Sequence, residues 1–232
     1  MLCHRILQVA GLAALLAIPS SAIAAPTIVY DNTSTPVTGD FIPSGLPEGF
    51  WPFNQYGDDP VGDQIALAGT DRAVTRFDLI VSSSAPTVLT NLTLVLYKND
   101  GTVYYGAPGA PGTVLWTGAL ADVAVDGLTM VVFDVPNVVV PNMFSWTAAA
   151  DSNIAGLATY DPPTVGSTPM WGPIQHAWDL DTASDDWYPF YFEDNPVANF
   201  GARVWAVPGP GCLSLLAAGG LAALHRRRRW GK

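Results

Sequence analysis

The stretch RAVTRFDLIVSSSAPTVLTNLTLVLYKNDG, residues 72–101, decides the fold class. In its first half Ala73, Thr75, Phe77, Leu79 and Val81 fall on one side of an extended chain, with Val74, Arg76, Asp78 and Ile80 on the other. Side chains of a strand alternate between two faces, so the first and more apolar set is expected to face a core. The second half repeats the device, with Leu92, Leu94 and Leu96 on one face and a turn at Asn99-Asp100-Gly101.

Working outward, the same pattern fills the chain between Pro26 and Ala206. TIVYD opens it at Thr27, and TVLWTG, LTMVVFDVP, FSWTAAA, IAGLATY, DWYPFYF and ANFGARVWAV continue it, separated by Gly, Pro, Asn and Asp. No amphipathic helix pattern and no repeat of 20 to 50 residues interrupts the series, which excludes solenoids and propellers. The loop YYGAPGAPGTVLW is too short for an interdomain linker and fits a hairpin loop carried outside a sheet. The expected fold is all-β: an antiparallel two-sheet β-sandwich, jelly-roll-like. It is flanked by an N-terminal signal helix and a C-terminal transmembrane helix. The expected organisation is 1–24 signal peptide, 25–206 β-sandwich domain and 207–232 sorting signal.

The 232 residues are 49% hydrophobic and 13% charged, enough for one sizeable core. Six of the ten cations sit at the two ends, leaving Arg72, Arg76, Lys98 and Arg203 against all twenty acids, a balance of −16 for the body. Such a surface repels a phosphate backbone, so nucleic acid is not an expected partner. Cys3 and Cys212 both lie in terminal apolar segments, which excludes a disulfide or a thiolate zinc site within the body.

The first residues, MLCHRILQVAGLAALLAIPSSAIAAP, read as an export signal. Arg5 supplies the charge, Ile6 to Ile18 a short apolar core, and Ala22-Ile23-Ala24 the small residues a signal peptidase needs, with cleavage after Ala24. The last residues, VPGPGCLSLLAAGGLAALHRRRRWGK, join a proline–glycine turn to thirteen uncharged residues, Cys212 to Leu224, and then four arginines. As a helix that run reaches about 20 Å, short of the roughly 30 Å hydrocarbon core, and the arginines suit its cytoplasmic end.

This tail resembles the PEP-CTERM sorting signals of Gram-negative bacteria that make exopolysaccharide. The match is Val207-Pro208-Gly209-Pro210, the apolar run to Leu224, and the basic cluster Arg226, Arg227, Arg228 and Arg229; Gly209 stands where the family carries glutamate. The resemblance implies an inner-membrane-anchored precursor, processed by an exosortase-like enzyme and passed to the cell surface or extracellular matrix. The run GDQIALAGTDRAVTRFDLIV is similar to an opening segment of PEP-CTERM surface proteins of planctomycete type.

Catalysis is not expected. His176 is the one histidine of the body, and no Gly-x-Ser-x-Gly elbow is present. Eighteen of the twenty acids are aspartate, most beside turn residues, where they cap their own backbone. The densest acidic stretch, DLDTASDDWYPFYFEDN, makes Asp179, Asp181, Asp185 and Asp186 candidate ligands for a structural calcium ion, since calcium takes several oxygens from a flexible loop. Asp58, Asp59 and Asp63 form a smaller acidic group. Beyond this calcium no cofactor is expected. Trp178, Trp187 and Tyr188 are candidate sugar contacts, because flat rings stack on sugar faces. The leading expectation is a non-enzymatic surface or exopolysaccharide-matrix protein. The alternatives are a carbohydrate-binding module and, behind it, a glycan hydrolase or lyase using paired aspartates.

Overall fold

The computed structural model describes residues 24–34, 50–53, 59–102, 109–160, 162–168, 176–181, 186–191 and 199–209; at 176–181, 186, 188, 190 and 191 it describes backbone alone. The described residues form thirteen strands and no helix. In chain order these are β1 (Thr27–Asp31), β2 (Phe50–Pro52), β3 (Val61–Ala66), β4 (Ala73–Ser83), β5 (Thr87–Lys98), β6 (Val114–Val125) and β7 (Thr129–Val139). There follow β8 (Met143–Ala150), β9 (Ala155–Tyr160), β10 (His176–Asp181), β11 (Asp186–Tyr191), β12 (Asn199–Phe200) and β13 (Ala202–Val207).

Two antiparallel sheets result. In the first, β1, β13 and β4 lie side by side, β7 pairs with one edge of β4, and β9 continues the other edge and carries β2 and β12. The second runs β11-β10-β3-β8-β5-β6. Four pairs are nested along the chain: β5 with β6, inside β4 with β7, inside β3 with β8, inside β1 with β13. Successive pairs alternate between the sheets, so one long hairpin is wrapped around a common core.

That core takes alternate residues from both sheets. Leu92, Leu94 and Leu96 of β5 are buried as their alternation requires, beside Phe144, Trp146 and Ala148 of β8. Trp146 links the layers, its ring edge-on to Phe77 of the first sheet at 5.3 Å and to Phe200 at 6.4 Å. In β4 the strict alternation fails at one point. Against β13, Arg76 pairs with Trp205 and Val74 with Ala206, so Thr75 is an extra residue there, while β7 carries the longer stretch opposite it, between Asp134 and Val138; Val74 turns inward to join Phe77, Leu79 and Val81. A β-bulge inverts the face of every residue before it, which is why Val74 and not Ala73 or Thr75 enters this core. ANFGARVWAV is likewise two strands: Gly201 divides β12 from β13, and a Cβ there would meet the Tyr160 ring at 2.6 Å.

The second sheet is curled. Trp187 on β11 and Tyr97 on β5 are separated by three intervening strands, yet their rings meet edge-on at 5.6 Å. Flat strands spaced about 4.8 Å apart would hold β11 and β5 near 19 Å. The hairpin β10–β11 therefore folds back across β3 and β8. Gly62 permits the tight contact beneath it: a Cβ at this position would lie 1.9 Å from the Trp146 carbonyl oxygen and 2.6 Å from the Thr147 Cα.

Gly62→Ala is expected to lower stability by roughly 2 kcal/mol or more, because backbone rather than a movable side chain must shift. Gly69→Ala, in a turn at φ 60° with open space around it, should cost only about 1–2 kcal/mol, for the left-handed backbone alone. Urea unfolding of the two variants checks this; a Gly62 variant as stable as the parent would show that β3 and β8 are not locked in this approach.

Candidate functional site

Six residues of β3, VGDQIA, build two different polar environments on the two sides of one strand. Val61, Asp63 and Ile65 face the core between the sheets, and Gly62 and Gln64 face the inside of the curl.

On the core side, Asp63 is 1% exposed and accepts a hydrogen bond at Oδ2 from the Phe200 N–H at 2.7 Å. Burial pushes its pKa up from 3.8 to about 8, and the Phe200 bond works in the opposite direction. Asp63 is therefore a neutral acid at pH 7. Tyr30 lies near it, fully buried, and its phenol is pushed well above its ordinary value, first by burial and then by the Asp63 charge. Asn32 is the neighbour that would favour the Tyr30 phenolate, but the contact is not closed into a hydrogen bond: the Tyr30 hydroxyl and both polar atoms of Asn32 are buried and unpartnered. The sequence grouped Asp63 with Asp58 and Asp59 as an acidic cluster. The fold separates it from solvent altogether, and only the alternation of Val61, Asp63 and Ile65 could have signalled this.

On the curl side, the register sets Gln64 beside Ser145, and Ser145 beside Tyr97; the next row sets Gly62 beside Thr147, and Thr147 beside Val95. Ser145 and Thr147 are fully buried and Gln64 is 1% exposed. Ser145 Oγ donates to Asn99 Oδ1 at 2.7 Å. Both amide atoms of Gln64 and Asn99 Nδ2 have no partner, and the Thr147 hydroxyl faces the Tyr97 phenol without closing a hydrogen bond of good geometry. Each buried unpaired group costs about 1–3 kcal/mol, so this wall is expensive as it stands. Burial raises the Tyr97 phenol, while Thr147 opposes the rise. Trp187 closes the wall from the far side, half-buried against Tyr97 and against Ala110 of the loop after β5.

The candidate residues of the acidic stretch distribute as follows. Asp179 and Asp181 lie in β10 and Asp186 in β11, so they belong to strands rather than a loop, while Asp185 lies outside the described residues. The register opposes Asp179 to Tyr188, Asp181 to Asp186, Leu180 to Trp187 and Trp178 to Pro189. Directly opposed positions share a face. Positions 179, 181, 186 and 188 are thus on one face of the hairpin and positions 178, 180, 187 and 189 on the other, which separates Tyr188 from Trp178 and Trp187. Among the described residues no group of three or more His, Cys, Asp or Glu is placed to hold a metal. Of the tail motif, Val207 is the last residue of β13 and pairs with Ala73, Pro208 and Gly209 follow it, and Pro210 and Arg226 to Arg229 lie outside the described residues.

Three of the four cations of the body are engaged on or beside the first sheet. Arg76 Nε meets Asp78 Oδ1 at 2.5 Å, with the Trp205 indole donating to Asp78 Oδ2 at 3.1 Å. Arg203 Nε meets Asp31 Oδ2 at 2.9 Å. Arg72 ties the turn before β4, donating to the carbonyls of Asp71 at 2.6 Å and Gly69 at 2.8 Å and to Asn142 Oδ1.

Asp63 has a testable signature. Its folded pKa lies above its unfolded one, so between about pH 4 and 8 the unfolded chain releases a proton that the native chain keeps. Its contribution to stability is full below pH 4 and is lost as pH rises through 8. At about 1.4 kcal/mol per unit the loss reaches at most about 6 kcal/mol. Asp63→Asn should remove this slope and be the more stable protein above pH 8. Parallel slopes for parent and variant in urea melts at pH 5, 7 and 9 would contradict a buried neutral Asp63. Comparison with protein-family models, curated proteins and solved structures finds no match to the chain, so its function has to be argued from these residues.

Proposed function

We propose that the chain is an exported, non-enzymatic protein of the cell surface or exopolysaccharide matrix, sorted through a PEP-CTERM-like C-terminal signal. The observation that carries this reading is where the sheets begin and end. β1 starts at Thr27, three residues after the signal-peptidase site at Ala24, and β13 ends at Val207, where the proline motif starts. Both processing points flank the described strands, so cleavage at either leaves every strand pairing intact. In this reading the signal helix and the short apolar helix of the tail hold the precursor in the inner membrane. Signal peptidase and an exosortase-like enzyme are its processing partners, and the exopolysaccharide is its destination.

We read the body as a jelly roll with additions. The support is the order β1-β13-β4-β7 opposite β3-β8-β5-β6, the two four-stranded sheets of that architecture. The strands β2, β9, β12 and the hairpin β10–β11 are then attachments at its margins.

Ending the chain after Val207 should release a folded, β-rich domain into the medium, because no strand pairing involves a residue beyond Val207 among those described. Replacing Arg226 to Arg229 by neutral residues should free the precursor from the membrane fraction, since a thirteen-residue span holds poorly without its cytoplasmic charges. Fractionation, circular dichroism and intact-mass analysis check both. A truncated chain that loses its sheet signal, or an arginine-free precursor that stays in the membrane, would defeat the proposal.

A further inference from the structure

We propose that β6 is the contact strand of a symmetric dimer, pairing antiparallel with β6 of a second copy of this chain about a two-fold axis at Gly118. The proposal concerns the folded body alone and stands whether or not the tail is a sorting signal.

β6 ends the second sheet and β7 ends the first, on the same side of the sandwich, where the Trp116 and Phe133 rings meet edge-on at 6.5 Å. An edge strand carries a row of unpaired N–H and C=O groups, which proteins ordinarily blunt with charge, proline, bulges or a covering segment. β7 is blunted in its second half by Asp134, Pro136 and Asn137, the last at φ 54°. β6 is blunted only at its ends. Leu115 is the extra residue where the β5–β6 register shifts, and Asp122 stands at φ 53°. Between them, residues 116–121 hold no charge, no proline and no left-handed backbone. Among the described residues nothing pairs with the free edge of this run. Thr117, Ala119 and Ala121 are exposed on one face, while Leu115, Trp116 and Leu120 reach toward the core yet stay only half-buried. The core is thus left open along one uncharged edge.

A second copy fits this edge in side chains, in charge and in area. A two-fold axis normal to the sheet keeps each face on its own side, so Gly118 opposite Gly118 sets Trp116 opposite Leu120 of the second copy and Thr117 opposite its Ala119, each twice. Half-buried apolar groups then meet each other, and so do small exposed ones. Gly118 suits the axis, because a Cβ there would strike the Trp116 ring at 2.2 Å; the indole already covers the glycine. The same register puts Asp122 of the second copy opposite Val114, which pairs with Tyr97, the neighbour of Lys98. Lys98 is the one cation of the body with no ion pair or side-chain hydrogen bond among the described residues. It comes to about 10 Å from that aspartate between Cα atoms, two strand spacings across and one residue along, within the combined reach of the two side chains. The body's −16 opposes association at long range, but charges more than about 8 Å apart are largely screened at physiological salt, and the paired run carries none. A strip as long as the twelve residues of β6 and as wide as the sandwich measures about 40 by 20 Å. That is about 800 Å² per copy, the size of a standard stable interface.

The test uses the full chain in a non-ionic detergent at physiological salt, with sedimentation and light scattering over a wide range of protein concentration. The expected result is a monomer–dimer equilibrium that shifts with concentration, and amide exchange at residues 116–121 that slows as the dimer forms. Charges at positions 117 and 119 test partner and register together. Thr117→Asp with Ala119→Asp sets acid opposite acid twice and should weaken the dimer at least about tenfold. Thr117→Lys with Ala119→Asp sets lysine opposite aspartate twice and should return the affinity to within about threefold of the parent. Both positions are exposed in the single copy, so neither change disturbs the core. A parent that stays monomeric at every concentration overturns the proposal, and so does a dimer whose 116–121 amides gain no protection. A dimer that survives the acid pair, or one that the lysine–aspartate pair fails to restore, overturns it as well, since the contact then lies elsewhere, the tail included. A strictly monomeric parent that holds a foreign polypeptide on this edge equally defeats self-pairing. Concentration dependence and amide protection are read on the parent protein, so they decide the matter even if a variant fails to fold.

Discussion

A slip of one residue between β3 and β8 would move Asp63 into the curl and Gln64 into the core, and would put a side chain where Gly62 passes the backbone of Trp146. The observed register avoids all three outcomes together. Because strand side chains alternate strictly, faces cannot be corrected one residue at a time. The pairing also carries Trp146, which joins the two sheets through Phe77 and Phe200. Fold, curl and candidate site thus depend on one ladder of six pairs.

The two polar sets backed against this strand are resolved by different chemistry. Asp63 meets burial by keeping its proton, against the pull of the Phe200 N–H, which favours the charged form. Gln64 and Thr147 have no proton to adjust and so carry their unpaired atoms at any pH. The first solution makes stability depend on pH; the second does not.

The long hairpin wrapping also sets where the chain enters and leaves the wound body. Its outermost pair is β1 with β13, so the two termini of the wound body lie side by side at one margin of the first sheet. The scarcity of cations in the body, most of them engaged by neighbouring aspartates or turn carbonyls, leaves positive charge concentrated in the terminal segments.

Period-two alternation in residues 72–101, turn residues between apolar runs, and the lack of any helical period were enough to determine an all-β chain of two antiparallel sheets. The leucines of β5 found their core for the same reason. Local pattern could not determine where alternation breaks, since the bulge at Thr75 and the kink at Gly201 are set by the strands that pair with them. Nor could it show that the acidic stretch contributes a strand pair to a curled sheet, because Trp187 and Tyr97 are 90 residues apart and meet only through five strands of order. Asp63 and Gln64 read as ordinary polar residues near a turn. Their burial is a property of what packs over them, and only the tertiary structure decides that.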